Sequence, residues 1–370
     1  MSKKVMSMIS AQTKDFAFSV LLNWEKIHLE NGERLEVVKN LVYASLILFY
    51  NLILKKVGTP ETINQLINVI SDHILKFDDC QIINVVLELI TLFTRKKETS
   101  DFIFQKQQIL NYIFEKLKSD NSETLRLAAL ALSRLAARLD DNNSELFIKN
   151  LKEFKDFNLV VENINAKYTQ ANRAVDEDKL KKTDDSTAKK KLNEVAVRKD
   201  VQGSEDVENE RDSQIDCILR YFLNFLENIT SFKKIRDELD SSRMFENMVG
   251  LYTEHLIVYS KISLISIIFN LNFNLQQPKV LSKEFLKLLY KTYKEELKDD
   301  EKTKRKIITI VVSSSALEVN HKAIIKSNFY TQFKRNINEQ YTQLVNADEE
   351  VELFGLINIV LNQNYMHLIY

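Results

Sequence analysis

Apolar residues recur three and four positions apart along most of the chain. Ile63, Leu66, Ile67, Ile70, Ile74 and Leu75 follow this rule, as do Ile82, Val85, Val86, Leu89, Ile90 and Phe93. At 3.6 residues per turn each set falls on one face, so each predicts a helix with an apolar stripe. The second half repeats the logic in Cys217, Leu219, Tyr221, Phe222, Phe225, Leu226 and Ile229, then in Phe285, Leu286, Leu288, Leu289 and Tyr293. The stripes are broad, which means that each helix meets more than one neighbour, as in stacked helix pairs or triplets. Between Val57 and Ile63 the chain reads G-T-P-E-T. Gly58 stops one helix, Thr59 caps the next and Pro60 fills its first position.

The pattern fails over roughly residues 167–213, where Lys-rich KLKKTDDSTAKKK gives way to acidic DVQGSEDVENERD and aromatics vanish after Tyr168. So few apolar groups cannot repay a backbone ordering cost of about 1–2 kcal/mol per residue. The expected organisation is therefore a helical-repeat block over 1–160, a charged disordered loop over 161–213 and a second helical-repeat block over 214–370. Ser186, Thr187 and Ser204 are the phosphorylation candidates within the loop, which also reads as a plain solvated insertion.

Within the first block, LKSDNSETLRLAALALSRLAARLDDN over Leu117 to Asn142 carries a small-small-x-small-Leu-x-x-Leu run in Ala128, Ala129, Ala131, Leu132 and Leu135. Small side chains let two backbones approach while the leucines fill the shared core. The segment resembles the last helix of an armadillo repeat, and ISLISIIFNLN is a weaker echo, with Ile268, Phe269, Asn270 and Leu271 in the positions of that helix. Three further segments, ETSDFIFQKQQILNYIF, SFKKIRDELDSSRMFENMV and NHKAIIKSNFYTQF, read as a polar opening, an apolar turn, a polar break and a new apolar helix. They resemble the joint between armadillo repeats, without its glycine: Lys106 or Gln107, Ser241 or Ser242, and Asn328 stand near that place. The resemblance implies an all-α fold, an armadillo/HEAT-like right-handed α-solenoid of about six or seven irregular repeats.

Composition narrows the chemistry. Two Pro and five Gly (Gly32, Gly58, Gly203, Gly250 and Gly355) in 370 residues supply neither strand turns nor a phosphate-cradling loop. The 52 basic and 52 acidic residues balance, so no whole-molecule field draws nucleic acid or an anionic membrane. The apolar runs Leu41 to Leu54 and Ile262 to Leu275 are shorter than the roughly 20 residues a bilayer needs and contain Asn, which reads as buried core. Cys80 and Cys217 sit in apolar-patterned segments, as reduced core thiols of a cytoplasmic or nuclear protein do. The five histidines are isolated, His73 and Cys80 are two ligands short of a zinc site, and Asp78 with Asp79 reads as a helix-helix turn. Paired acids such as Asp299 with Asp300 read as loop-like or helix-start positions, and Lys302, Lys304, Arg305 and Lys306 read as a charged inter-helix turn. No catalytic constellation, cofactor or metal is expected.

What remains is recognition by shape. The family resemblance implies a concave groove lined by the last helix of each repeat, with Arg134 and Asn270 at its partner-facing positions. Asn both donates to and accepts from a main chain, and Arg grips a carboxylate with two N–H groups, a pair suited to an extended acidic peptide. The expected function is a non-enzymatic protein-binding adaptor or scaffold. The alternative is a chaperone cofactor, a nucleotide-exchange or assembly factor that clamps a folded domain. Both take a protein partner and neither needs a membrane or nucleic acid. The oligomeric state stays open.

Overall fold

The structure is a computed structural model and describes residues 3–31, 35–55, 59–153, 161–164, 166, 203–239, 241–253, 258–272, 280–297, 299–315 and 317–331; among these there is no strand. The chain divides into two compact units, residues 1–163 with 191–229 and residues 164–190 with 230–370.

The first unit runs α1 (Lys3–Asn31), α2 (Leu35–Leu54), α3 (Pro60–Val69), α4 (Cys80–Phe93), α5 (Lys97–Phe104), α6 (Gln107–Lys116), α7 (Ser122–Ala136), α8 (Asp141–Glu153) and most of α9 (Gly203–Ser231). Polar caps set the starts. Thr59 accepts from the Thr62 amide ahead of Pro60, Asp79 from the amides of Gln81 and Ile82, and Asn121 from that of Thr124. Each cap satisfies donors that the first helical turn leaves open. α3 continues into a π-helical turn, Ile70–Ile74, where the His73 carbonyl accepts the indole N–H of Trp24 at 3.2 Å. α2 packs between α1 and α4, α4 against α7, and α5 and α6 against α8. Phe147 of α8 and Phe225 of α9 join Phe104 and Phe114 in a buried aromatic cluster with ring centroids 6.1–6.3 Å apart. Ala128, Ala129 and Ala131 are fully buried, as expected of residues that admit a neighbouring helix.

The second unit holds the end of α9, then α10 (Lys233–Glu238), α11 (Ser241–Thr253), α12 (Val258–Asn272), α13 (Lys283–Lys291), α14 (Glu301–Ser314) and α15 (Glu318–Ile325). α12 packs on α11 and α14, and α13 on α11 and α15. α13 also ends in a π-helical turn, Thr292–Glu296, and Ser282 and Asp300 cap α13 and α14.

Hydrogen bonds between elements reveal a repeat of about forty residues. In the first unit they join Asn84 to Thr124 at a separation of 40, Thr91 to Arg134 and Arg95 to Arg138 at 43, and Asp101 to Asn143 at 42. In the second they join Thr230 to Asn270 and Ser266 to Lys306 at 40, and Leu281 to Asn320 at 39. Equivalent positions of successive units therefore touch, at the period of armadillo and HEAT repeats. α5–α7 and α10–α12 are complete three-helix repeats, a short helix followed by two longer ones.

The joints recur too. A first-turn side chain of the next helix covers a carbonyl at or just past the end of the preceding long one: Thr99 binds that of Phe93, Asn143 that of Arg138, Arg236 that of Thr230, and Asn320 that of Ser314. These carbonyls have no partner within their own helix. The break between α5 and α6 runs through Lys106 at φ −99° and that after α10 through Leu239 at φ −80°. Lys106 does not lie in the left-handed region, so the joint between α5 and α6 needs no glycine there.

Several sequence expectations need correction. Cys80 is exposed and Cys217 half-buried, both as free thiols, because each lies at the polar edge of its helix and not on its apolar stripe. The basic cluster Lys302 to Lys306 lies inside α14, whose cap at Asp300 starts the helix ahead of it. The apolar run ending at Leu54 belongs to a helix of 20 residues, long and apolar enough by composition to cross a membrane, although Val38, Val42, Leu46 and Phe49 are buried against protein here. Residues 167–202 of the charged segment, with Ser186 and Thr187, lie outside the described residues, and 203–213 form the first turns of α9.

Candidate partner-binding surface

The long helices α4 and α7 lie side by side, and their polar residues fall on one side because the apolar stripes are buried. On α7 the residues left outward come every fourth position: Arg126, Leu130 and Arg134, with Arg138 just past the helix end. On α4 the matching positions are Asn84 and Glu88, followed by Arg95 beyond its end. Three ties join the two rows. Thr124 Oγ1 donates to Asn84 Oδ1 at 2.7 Å, an Arg134 guanidinium N–H to the Thr91 carbonyl at 3.0 Å, and one of Arg138 to the Arg95 carbonyl at 3.1 Å.

Charge is distributed unevenly along this face. Toward the helix starts Arg126 grips Glu123 with both Nε and a terminal nitrogen, at 2.8 and 2.6 Å. That bidentate bond holds the Arg126 guanidinium above its ordinary pKa. Glu88 is half-buried; its desolvation, then the like charge of Glu123, push its carboxyl up against the opposing pull of Arg126. α9 brings Tyr221 and Cys217 within electrostatic range of Arg126, and Arg220 lies over the Tyr221 ring at 5.3 Å. Toward the helix ends stand Arg95, Arg134 and Arg138, and among the described residues no carboxylate pairs with them.

In the second unit the corresponding face belongs to α12 and α14. Asn270 is half-buried, and its Nδ2 donates to Thr230 Oγ1 at 3.1 Å. Lys306 reaches Ser266 Oγ at 2.6 Å, and Lys261 pairs with both oxygens of Glu296 at 2.9 and 3.0 Å.

The two residues singled out by the armadillo resemblance thus have a common structural part. Arg134 lies in the first unit and Asn270 in the second, and each ties its long helix back to the long helix one repeat earlier. Each is half-buried, with one side on the neighbouring helix. Arg126, Arg138, Glu88 and Arg95 belong to the same face and were not singled out. A four-residue step from Arg134, and the offset of 43 that carries Arg95 onto Arg138, are the signals that find them. Among the described residues no group of three or more His, Cys, Asp or Glu side chains is arranged to hold a metal.

These features define an all-α helical-repeat protein, built of short-long-long helix units whose long helices pack on one another. No protein-family model and no curated protein matches the sequence. Among solved structures, a designed armadillo repeat protein is similar over 75% of this chain and 94% of its own, at 11% identity and a TM-score of 0.47. Two engineered proteins are similar at 13% identity, with TM-scores of 0.48 and 0.43, over 86% and 75% of this chain and 64% and 93% of theirs.

Proposed function

We propose that the chain is a non-enzymatic adaptor or scaffold that binds a protein segment along the face of its long helices, with Arg134 and Asn270 among the contacts. The observation that supports this most is the α4–α7 face. Its hydrogen-bonding side chains are anchored to a neighbouring backbone and therefore meet a partner at little further cost in side-chain order. The free thiols Cys80 and Cys217 suit a reducing compartment, and the reading places the protein in the cytoplasm or the nucleus. The packing of α2 between α1 and α4 supports a chain that does not use this helix as a membrane span.

The test is binding of a partner purified from the native cell to Arg134→Glu and Asn270→Ala at two salt concentrations, with thermal melts as a check on folding. Arg134→Glu reverses a charge and is expected to weaken an acidic partner more, and more so at low salt. Asn270→Ala removes neutral hydrogen bonds, worth about 0.5–1.5 kcal/mol net. Unchanged affinity in both folded variants would move the site off this face. A partner that binds only as a folded domain, and not as a peptide, would replace the adaptor with the chaperone-cofactor reading.

A further inference from the structure

We infer that Arg95, Arg134 and Arg138, at the ends of α4 and α7, form a site for a phosphorylated serine or threonine side chain in the bound segment. The inference rests on the binding face proposed above and names the chemistry of one subsite on it.

Position comes first. The carbonyls of Thr91, in the last turn of α4, and of Arg95, just past its end, are four residues apart, so the Arg134 and Arg138 guanidinium groups bonded to them stand about 6 Å apart. That gap is small enough for one tetrahedral anion to reach both, since each N–H···O bond spans about 2.8 Å. Both groups are fixed by main-chain oxygens and not by mobile side chains. Each guanidinium has five N–H donors, of which a carbonyl takes one.

Charge comes second. Nearby cations are neutralised: Lys97 by Asp101 and Asp140, Arg126 by Glu123. Arg95, Arg134 and Arg138 have no carboxylate partner among the described residues, and the ends of α4 and α7 together supply only about one negative charge against the three. Glu88, the acid on the same stripe of α4, faces Glu123 and Arg126. A carboxylate would offset one of these charges. A phosphate monoester brings nearly two, with three terminal oxygens to share among the guanidinium groups. The balance therefore favours phosphate over Asp or Glu.

The experiment uses the full chain with isotopically labelled arginine, titrated with three otherwise identical flexible peptides bearing a central phosphoserine, glutamate or serine. Side-chain N–H resonances are read for each arginine. The expected result is saturable movement of Arg95, Arg134 and Arg138 with phosphoserine, about tenfold weaker binding of glutamate and none of serine, with Arg305 and Arg243 unmoved. Among the described residues nothing bonds to the exposed Arg95 side chain, so Arg95→Gln is expected to weaken phosphoserine binding about tenfold without shifting the melting temperature. Equal response to glutamate and phosphoserine would overturn the phosphate assignment and leave the binding face standing. Equal response to all three peptides, or an unaltered affinity in Arg95→Gln, would overturn the subsite while the face still binds. No response at all would also overturn it, and the partner-binding test with Arg134→Glu and Asn270→Ala would then decide the face separately.

Discussion

Single residues show how little slack the stacked helices have. Ala129 and Ala131 are fully buried where α7 meets its neighbours. Replacing either by Leu forces added methylenes into a filled contact and is expected to cost about 1–3 kcal/mol, read as a lower melting temperature. An unchanged melt in both variants would show that these alanines do not set the helix approach. Glu88 tests the electrostatics. Burial and the charge of Glu123 raise its pKa, so the folded state favours the neutral acid. Its contribution is complete below the ordinary glutamate pKa of about 4.3 and is lost as the pH rises through the higher folded value. Glu88→Gln is therefore expected to raise the melting temperature at neutral pH and to do little near pH ~4. A melting temperature lowered equally at both would point to a hydrogen-bonding need for the carboxylate.

At the level of elements, helix starts are where local chemistry decides most. Asp300 caps α14 by accepting from the Thr303 hydroxyl and the Thr303 amide, and these bonds hold its carboxyl below the usual range. Asp300→Ala is expected to cost about 1 kcal/mol at neutral pH, whereas Asp300→Asn keeps an acceptor and costs less. For a depressed carboxylate the sign is the reverse of Glu88. The stability is present above about pH 3.9 and is lost as the pH falls through the lower folded value, so wild type and Asp300→Ala should converge in acid. Melts of both proteins across that range check it. A cap of this kind was legible in the sequence at Thr59; Asp78 and Asp79 read there as a helix-helix turn, and the structure makes Asp79 the cap of α4. The start of α14 was misplaced. Its first turns, EKTKRK, are wholly polar and carry no periodicity to read, and only the bonded Asp300 marks them as helical.

Each unit is assembled from contacts between neighbouring repeats, and such a stack yields locally. Leu132 is fully buried and belongs to α7, which packs against α4 and α6. Leu132→Ala is expected to cost about 2–5 kcal/mol. Amide exchange should accelerate in α4, α6 and α7, while α12 and α14 of the second unit keep their protection. Equal acceleration in both units would mean that the chain opens as one cooperative body. The repeat period belongs to this scale. The sequence displays it most plainly at the alanine-rich helix and more weakly at ISLISIIFNLN and the three joints, since elsewhere different side chains fill the equivalent places: Arg134 and Asn270 make the same backward tie with unlike chemistry.

The sequence by itself determined the all-α character, the apolar faces, the capped start of α3 and the alanine contact of α7. Each follows from spacing or from groups within a few residues of one another, which a linear reading contains. Only the tertiary structure decided which outward residues meet. Whether Arg134 lies over the Thr91 carbonyl and Arg138 over that of Arg95 depends on the axial offset of two packed helices, and a shift of one turn would pair each arginine differently with no change in either apolar stripe. The exposure of Cys80 was likewise set by packing, because a residue at a helix start can border an apolar stripe without facing the core.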